Sequence, residues 1–315
     1  RRQIAPFSDV TAPRPEVSRH LRHRPPPRRS KKQTGNAAGP LSRRSVVPTR
    51  PRVATALGWQ LVLRLGDNRA IAPSRAARRA LARAIAALGN EFGVFAWCVA
   101  DNHLHVAAFC AHESARELAR RLAIALQRRL EPGVAFERPR LTPINDQAHA
   151  RALLTYVIGQ SAHHGASQDD AHEGNCVHDL VGTRTLMPWL PERVREHFPR
   201  VTRAHLLAPL GVEGFDERRG LDADAAAAAF ALPSLRGRAA EVVDARRALV
   251  AVAGDFEAAQ VATALNISPR SVWRLAKVPP PEAHARAVRR QLGLRAALAA
   301  RPLTVGESPA ATYMP

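Results

Sequence analysis

Two histidines one residue apart, His103-Leu104-His105, are the sharpest chemical feature of this 315-residue chain. On a strand, side chains at i and i+2 share a face, so both imidazoles project together while Leu104 enters the opposite layer. Two neutral imidazoles held side by side form half of a divalent-cation site. In a chain with 13 histidines the same pattern also arises from structural or solvated rings. Tyr156 and Gln160 make a second pair. At i and i+4 on a helix they stack on one face, beside a stripe of Leu154, Val157 and Ile158. A tyrosine hydroxyl next to a metal-bound phosphate is a competent nucleophile, because the metal draws charge off phosphorus and stabilises the developing oxyanion. Gln160 can add a neutral oxygen ligand. The plainer reading of Tyr156 is an aromatic capping the edge of a core.

These residues need elements to hold them. Alternation over 57–65 predicts a strand, followed by the turn residues Gly66-Asp67-Asn68. Ser74 is a suitable N-cap for a helix over 75–88, whose Ala77, Leu81, Ile85 and Leu88 form one stripe, with Gly89 at C′. The apolar runs 94–99 and 104–109 around Ala100-Asp101-Asn102 predict a β-hairpin that carries the His pair. A helix over 113–130, a short strand over 134–136 and a helix from about 147 to 160 complete the order β-α-β-β-α-β-α. That order predicts an α+β fold, a ferredoxin-like sandwich with an antiparallel sheet and helices on one face.

The run Val99-Ala100-Asp101-Asn102-His103-Leu104-His105-Val106 resembles the His-hydrophobe-His (HUH) motif of single-tyrosine transposases, and most closely that of the REP-associated tyrosine transposases. Tyr156-Val157-Ile158-Gly159-Gln160-Ser161-Ala162-His163-His164-Gly165 resembles their second signature. The likeness covers about residues 53–166. Asp101 stands where the family usually has Pro, Ser161 replaces another Pro, and His163 replaces an Arg. The resemblance implies Tyr156 as nucleophile, and His103, His105 and Gln160 around Mg²⁺ or Mn²⁺. It implies cleavage and rejoining of single-stranded, hairpin-forming DNA ends through a 5′-phosphotyrosine. A non-catalytic DNA-binding regulator that keeps the fold is the alternative. His149 and His163 fall seven residues either side of Tyr156 on nearly the same helical face, as a further base or ligand, or as surface histidines.

The rest of the chain points the same way. Residues 1–52 carry 14 basic and 2 acidic side chains, so most of the net charge of +20 sits in a proline-rich arm over 1–50 suited to phosphates. An irregular helical connector is expected over 167–235, a helical domain over 236–300 and a tail over 301–315. Within the helical domain, residues 257–277 resemble a helix-turn-helix. Asn266 is at the turn, Ile267 enters the core, and Ser268 caps a helix that starts with Pro269. Val272 and Leu275 face inward, leaving Arg270, Ser271, Arg274 and Lys277 outward for DNA. His163, His164, His172, Cys176 and His178 lie close in sequence, but their spacing matches no zinc pattern. No apolar run approaches the roughly 18 residues of a membrane span, and no signal-peptide pattern opens the chain. Three cysteines are too few for a disulfide framework. A cytoplasmic, nucleoid-associated protein is expected, with a homodimer left open.

Overall fold

The structure, a computed structural model, describes residues 56–163 and 171–301, without the side chains of 161–163. The expected basic arm and C-terminal tail lie outside these residues, apart from Arg301. All described residues belong to one compact unit, Pro51–Pro315. The chain is α+β. Strands β1 (Gly58–Arg64), β2 (Val94–Ala100), β3 (His103–Ala108) and β4 (Arg140–Ile144) form an antiparallel sheet in the order β2-β3-β1-β4. Helix α1 (Arg75–Gly89) follows β1, α2 (His112–Leu130) follows β3, and α3 (Gln147–His163) follows β4.

Local chemistry sets these elements. Ser74 caps α1 by accepting the Ala77 amide at 3.1 Å, a bond worth about 1 kcal/mol at such a position. Gly89 is the last residue of the helix rather than C′, and a Cβ there would lie 3.0 Å from the Trp189 ring. The β2–β3 hairpin closes through Asp101 and Asn102, between the paired Ala100 and His103, with Asp101 in the left-handed region at φ 48°. A short polar residue tolerates that conformation better than most.

The sheet is covered on both sides. Gly89 lies against the Val94 side chain, which places α1, and α2 packed on it, over the face that carries Leu104 and Val106. Helix α3 packs on β2 and β3 with Tyr156 against His105, on the other face. The expectation of helices on one face therefore holds for α1 and α2 and not for α3. The reason is that Ala96, Cys98, Ala100 and Ala107 on the His face are apolar and fully buried, so they need a lid. Leu154, Val157 and Ile158 supply it.

The fourth strand is not the expected 134–136. Phe136 makes only a single bridge, to Leu65. The strand is Arg140–Ile144, which pairs with β1 alone. As an edge it tolerates Pro143, which has no amide hydrogen to donate.

Beyond α3 the chain returns to the sheet. The Val99 amide donates to the Gly174 carbonyl at 2.8 Å and the Cys176 amide to the Trp97 carbonyl at 3.1 Å, so residues 174–176 shield the edge of β2. Short helices follow: α4 (Val177–Leu180), α5 (Leu190–His197), α6 (Arg203–Leu207) and α7 (Ala223–Ala229). Then come α8 (Ala240–Ala253), α9 (Ala258–Leu265), α10 (Pro269–Ala276) and α11 (Glu282–Ala299). Helix α11 belongs to two cores, giving Leu294 and Leu298 to that of the sheet and Ala285, Ala287 and Val288 to that of the C-terminal helices.

A buried ion cluster joins those cores. Arg79 of α1 is 1% exposed. Its Nη2 donates to Glu173 at 2.8 Å and to Asp224 at 2.7 Å, its Nη1 to the Leu232 carbonyl at 3.0 Å, and its Nε also meets Glu173. Arg295 of α11 donates to Asp224 at 2.9 Å and to Asp222 at 3.1 Å. Burial alone would pull the Arg79 guanidinium down, but its bonds to Glu173 and Asp224 outweigh that and hold it above its ordinary value. Among the described residues no helix is long and apolar enough to cross a membrane.

Candidate active site

Strand β3 delivers His103 and His105 to one face, as i and i+2 must be. Their rings lie edge to face with centroids 4.6 Å apart, and both are buried. The Tyr156 ring stands edge-on to His105 at 5.5 Å. Tyr156 itself is 51% exposed. Gln160 is one turn further on the same helical face, about 6 Å along the axis, and is buried. The structure thus brings His103, His105 and Tyr156 together, with Gln160 one helical turn beyond Tyr156 on α3.

Three amides that the sequence reading did not single out support this constellation. The amide nitrogen of Asn102 donates to Asn68 at 2.6 Å, which turns its oxygen to His103 Nδ1 at 2.7 Å. An oxygen there accepts a proton from Nδ1, so Nε2 of a neutral His103 carries the lone pair. The amide nitrogen of Gln60, on the neighbouring strand β1, donates to Nδ1 of His105 at 3.2 Å. With Nδ1 accepting, the proton of a neutral His105 sits on Nε2, so ligation through Nε2 requires that amide turned end for end, its oxygen facing Nδ1. Asn175, fully buried, donates to the Ile158 carbonyl at 2.8 Å and accepts the Val177 amide at 3.0 Å. It therefore pins α3 to the edge of the sheet midway between Tyr156 and Gln160. The sequence cue for two of them is the position of Asn102 one residue before the His pair and of Gln60 diagonally across from it. No local cue exists for Asn175.

Two imidazoles on one face suit a divalent cation of intermediate hardness, and His103 has the Nδ1-to-oxygen hydrogen bond that orients a ligating histidine. No group of three His, Cys, Asp or Glu side chains is placed for a metal among the described residues. Asn175→Ala is expected to lower stability by about 1–3 kcal/mol, because the buried Ile158 carbonyl loses its extra donor and the Val177 amide loses its acceptor. Urea unfolding measures it, and a change below about 0.5 kcal/mol would show that Asn175 does not hold α3.

Other sequence candidates fall elsewhere. His149 sits in the first turn of α3, where its Nδ1 accepts the Asn145 amide at 3.4 Å and its own amide donates to Asp146 at 2.8 Å. It works as a cap, about 10 Å along the axis from Tyr156. The side chains of His163 and His164 lie outside the described residues. His178 bonds the Ala171 carbonyl at 2.6 Å and the Thr183 hydroxyl at 3.0 Å, and Cys176 takes the Trp97 amide at 3.4 Å. Burial pushes the Cys176 thiol up to about 12, so it is no thiolate ligand near neutrality.

In the C-terminal helices, α9 ends at Asn266 with φ 52°, and Ile267 closes the turn by donating to the Ala262 carbonyl at 3.0 Å. Ser268 caps α10 by accepting the Ser271 amide at 3.2 Å, and Pro269 is its first residue. Arg270, Arg274 and Lys277 are exposed. Ser271 is half-buried, with its hydroxyl 2.9 Å from that of Ser268, and so belongs to the cap rather than to the outer face. No known family, no curated protein and no solved structure matches this chain.

Proposed function

We propose that this protein cleaves and rejoins single-stranded DNA through a covalent 5′-phosphotyrosine on Tyr156, with His103, His105 and Gln160 holding Mg²⁺ or Mn²⁺. The observation that carries the reading is the edge-on approach of a half-exposed Tyr156 to the buried His105, with His103 at its side. A nucleophile must meet substrate from solvent, while cation ligands gain strength from being dry. That division of exposure is what the two elements provide. The strand order β2-β3-β1-β4, with α1 after β1 and α2 after β3, supports the ferredoxin-like arrangement on which the two motifs would sit. The left-handed Asn266 turn between α9 and α10 supports a helix-turn-helix behind it.

In the proposed step, Oη of Tyr156 bonds to phosphorus as the bond from phosphorus to the 3′ oxygen breaks. The hydroxyl proton leaves to water, and the departing 3′ oxygen takes one up. Attack by a free 3′-hydroxyl on the phosphotyrosine reverses the step and restores Tyr156. A divalent cation at the His pair supplies charge withdrawal from the scissile phosphate. His103, turned by its Nδ1 contact to Asn102, and His105 would hold it, and α3 sets the approach of Oη.

The test is incubation with end-labelled single-stranded oligonucleotides from the DNA that flanks its own coding sequence, with and without Mn²⁺. A metal-dependent covalent adduct on a denaturing gel, absent from Tyr156→Phe, is expected. Tight binding with no adduct on any flanking strand would overturn it in favour of a non-catalytic DNA-binding regulator.

A further inference from the structure

We propose that the outer face of α10 is a platform for an unpaired base, with Trp273 stacking on the base and Arg270, Arg274 and Lys277 engaging the phosphates around it. The proposal deepens the DNA-binding reading of α10 and rests on it for the class of partner.

Trp273 is 66% exposed, the highest value for any large apolar side chain among the described residues, whereas Trp59 and Trp97 are buried. At 100° per residue, Trp273, Lys277, Arg270 and Arg274 fall within an arc of about 100° on the helix. Val272, on the opposite side, is buried in the C-terminal core. No acidic residue occurs between Ala258 and Pro281. Among the described residues, none of the three cations is held in an ion pair. The result is one rigid face that joins a bare indole to three unneutralised positive charges. The Ser268 cap and the packing of α10 on α8 and α9 fix it before any ligand arrives.

The indole decides which form of nucleic acid fits. A duplex hides base faces in its stack and offers only edges in the grooves, which are read by hydrogen-bonding side chains and small apolar groups. Trp273 offers a broad π face and a single N–H. A matching π face is open only on an unpaired base, as in a single strand or a hairpin loop. Cations within one turn of the indole then meet the flanking phosphates, and can do so without sequence preference.

The full chain is titrated at about 0.2 M salt, where the contribution of the basic arm shrinks. Three fluorescein-labelled DNAs of matched length and base composition serve as probes: an unstructured single strand, a hairpin with an open loop and a blunt duplex. Trp273→Ala is expected to weaken the single strand and the hairpin about tenfold to a hundredfold and the duplex by less than about twofold, while Trp273→Phe retains most of the affinity. Strand binding should also quench wild-type tryptophan emission more than that of Trp273→Ala. An equal loss on the duplex would overturn the proposal in favour of groove contact, and unchanged binding to all three would remove Trp273 from the interface. An unaltered unfolding midpoint confirms that the variant folds. Binding is read in the Tyr156→Phe background, so the outcome does not depend on whether the protein forms an adduct.

Discussion

Glu173→Ala is expected to lower stability by about 3–5 kcal/mol and to split a single unfolding transition into two. The carboxylate is 3% exposed and faces a guanidinium that is 2% exposed. Its removal leaves the Arg79 charge buried, with Asp224 as the nearest remaining anion. Cutting one partner from such a pair costs far more than the pair itself contributes, because the survivor keeps its desolvation penalty. The second effect follows from where the members sit. Arg79 is on α1, Glu173 just before the return to β2, Asp224 on α7 and Arg295 on α11. They therefore join the core under the sheet to that of the C-terminal helices. Asp224→Ala is expected to cost less, about 1 kcal/mol or below, since that side chain is 42% exposed and water screens it. Urea unfolding followed by tryptophan fluorescence and by far-ultraviolet circular dichroism checks both points. Coincident transitions with a loss under 1 kcal/mol, on the order of a surface pair, would show that the cluster holds nothing together. The double variant Arg79→Met/Glu173→Leu should recover part of the loss, as replacing a whole buried pair by apolar groups often does.

This cluster also marks where reading the sequence stops. The α1 stripe of Ala77, Leu81, Ile85 and Leu88 follows from a 3.6-residue period, and Ser74 from the chemistry of N-caps. Arg79 lies off that stripe. Its burial is imposed by a glutamate 94 residues away, which no local pattern reports. The β2–β3 hairpin was legible because two apolar runs flank a short polar turn. The final strand was not, since Pro143 argues against a strand until it is known to lie at an edge. At the candidate site the same divide holds. His103 and His105 share a face by strand geometry alone, and Tyr156 and Gln160 share one by helix geometry. That the two faces meet depends on α3 crossing the small, buried residues of β2, and on Asn175 holding it there. The outward place of Trp273 has no cue of its own in the sequence, since its exposure is a property of packing.

Replacing either histidine by alanine is expected to cut adduct formation at least about a hundredfold, the scale seen when one preorganised charge stabiliser is lost from a transition state. Asn102→Ala should fall about tenfold to a hundredfold, the usual cost of losing a partner that orients a metal-bound histidine. The two classes separate by their response to metal. Without Asn102, His103 retains its Nε2 but is free to turn or to adopt the other tautomer, so the loss lies in affinity. Raising Mn²⁺ should then restore most of the rate, with the half-saturating concentration moved up by the same factor. Without His103 or His105 the ligand itself is gone, and metal should not restore the rate. Direct Mn²⁺ binding, measured by calorimetry without DNA, should track the first shift and be lost in the second. Asn102 is only partly buried, near the hairpin turn, so its truncation should leave the unfolding midpoint nearly unchanged. If Asn102→Ala slows the adduct while calorimetry shows wild-type Mn²⁺ affinity, the 2.7 Å contact to His103 does not orient a ligand. The role assigned to Asn102 would then fall, whatever becomes of Tyr156.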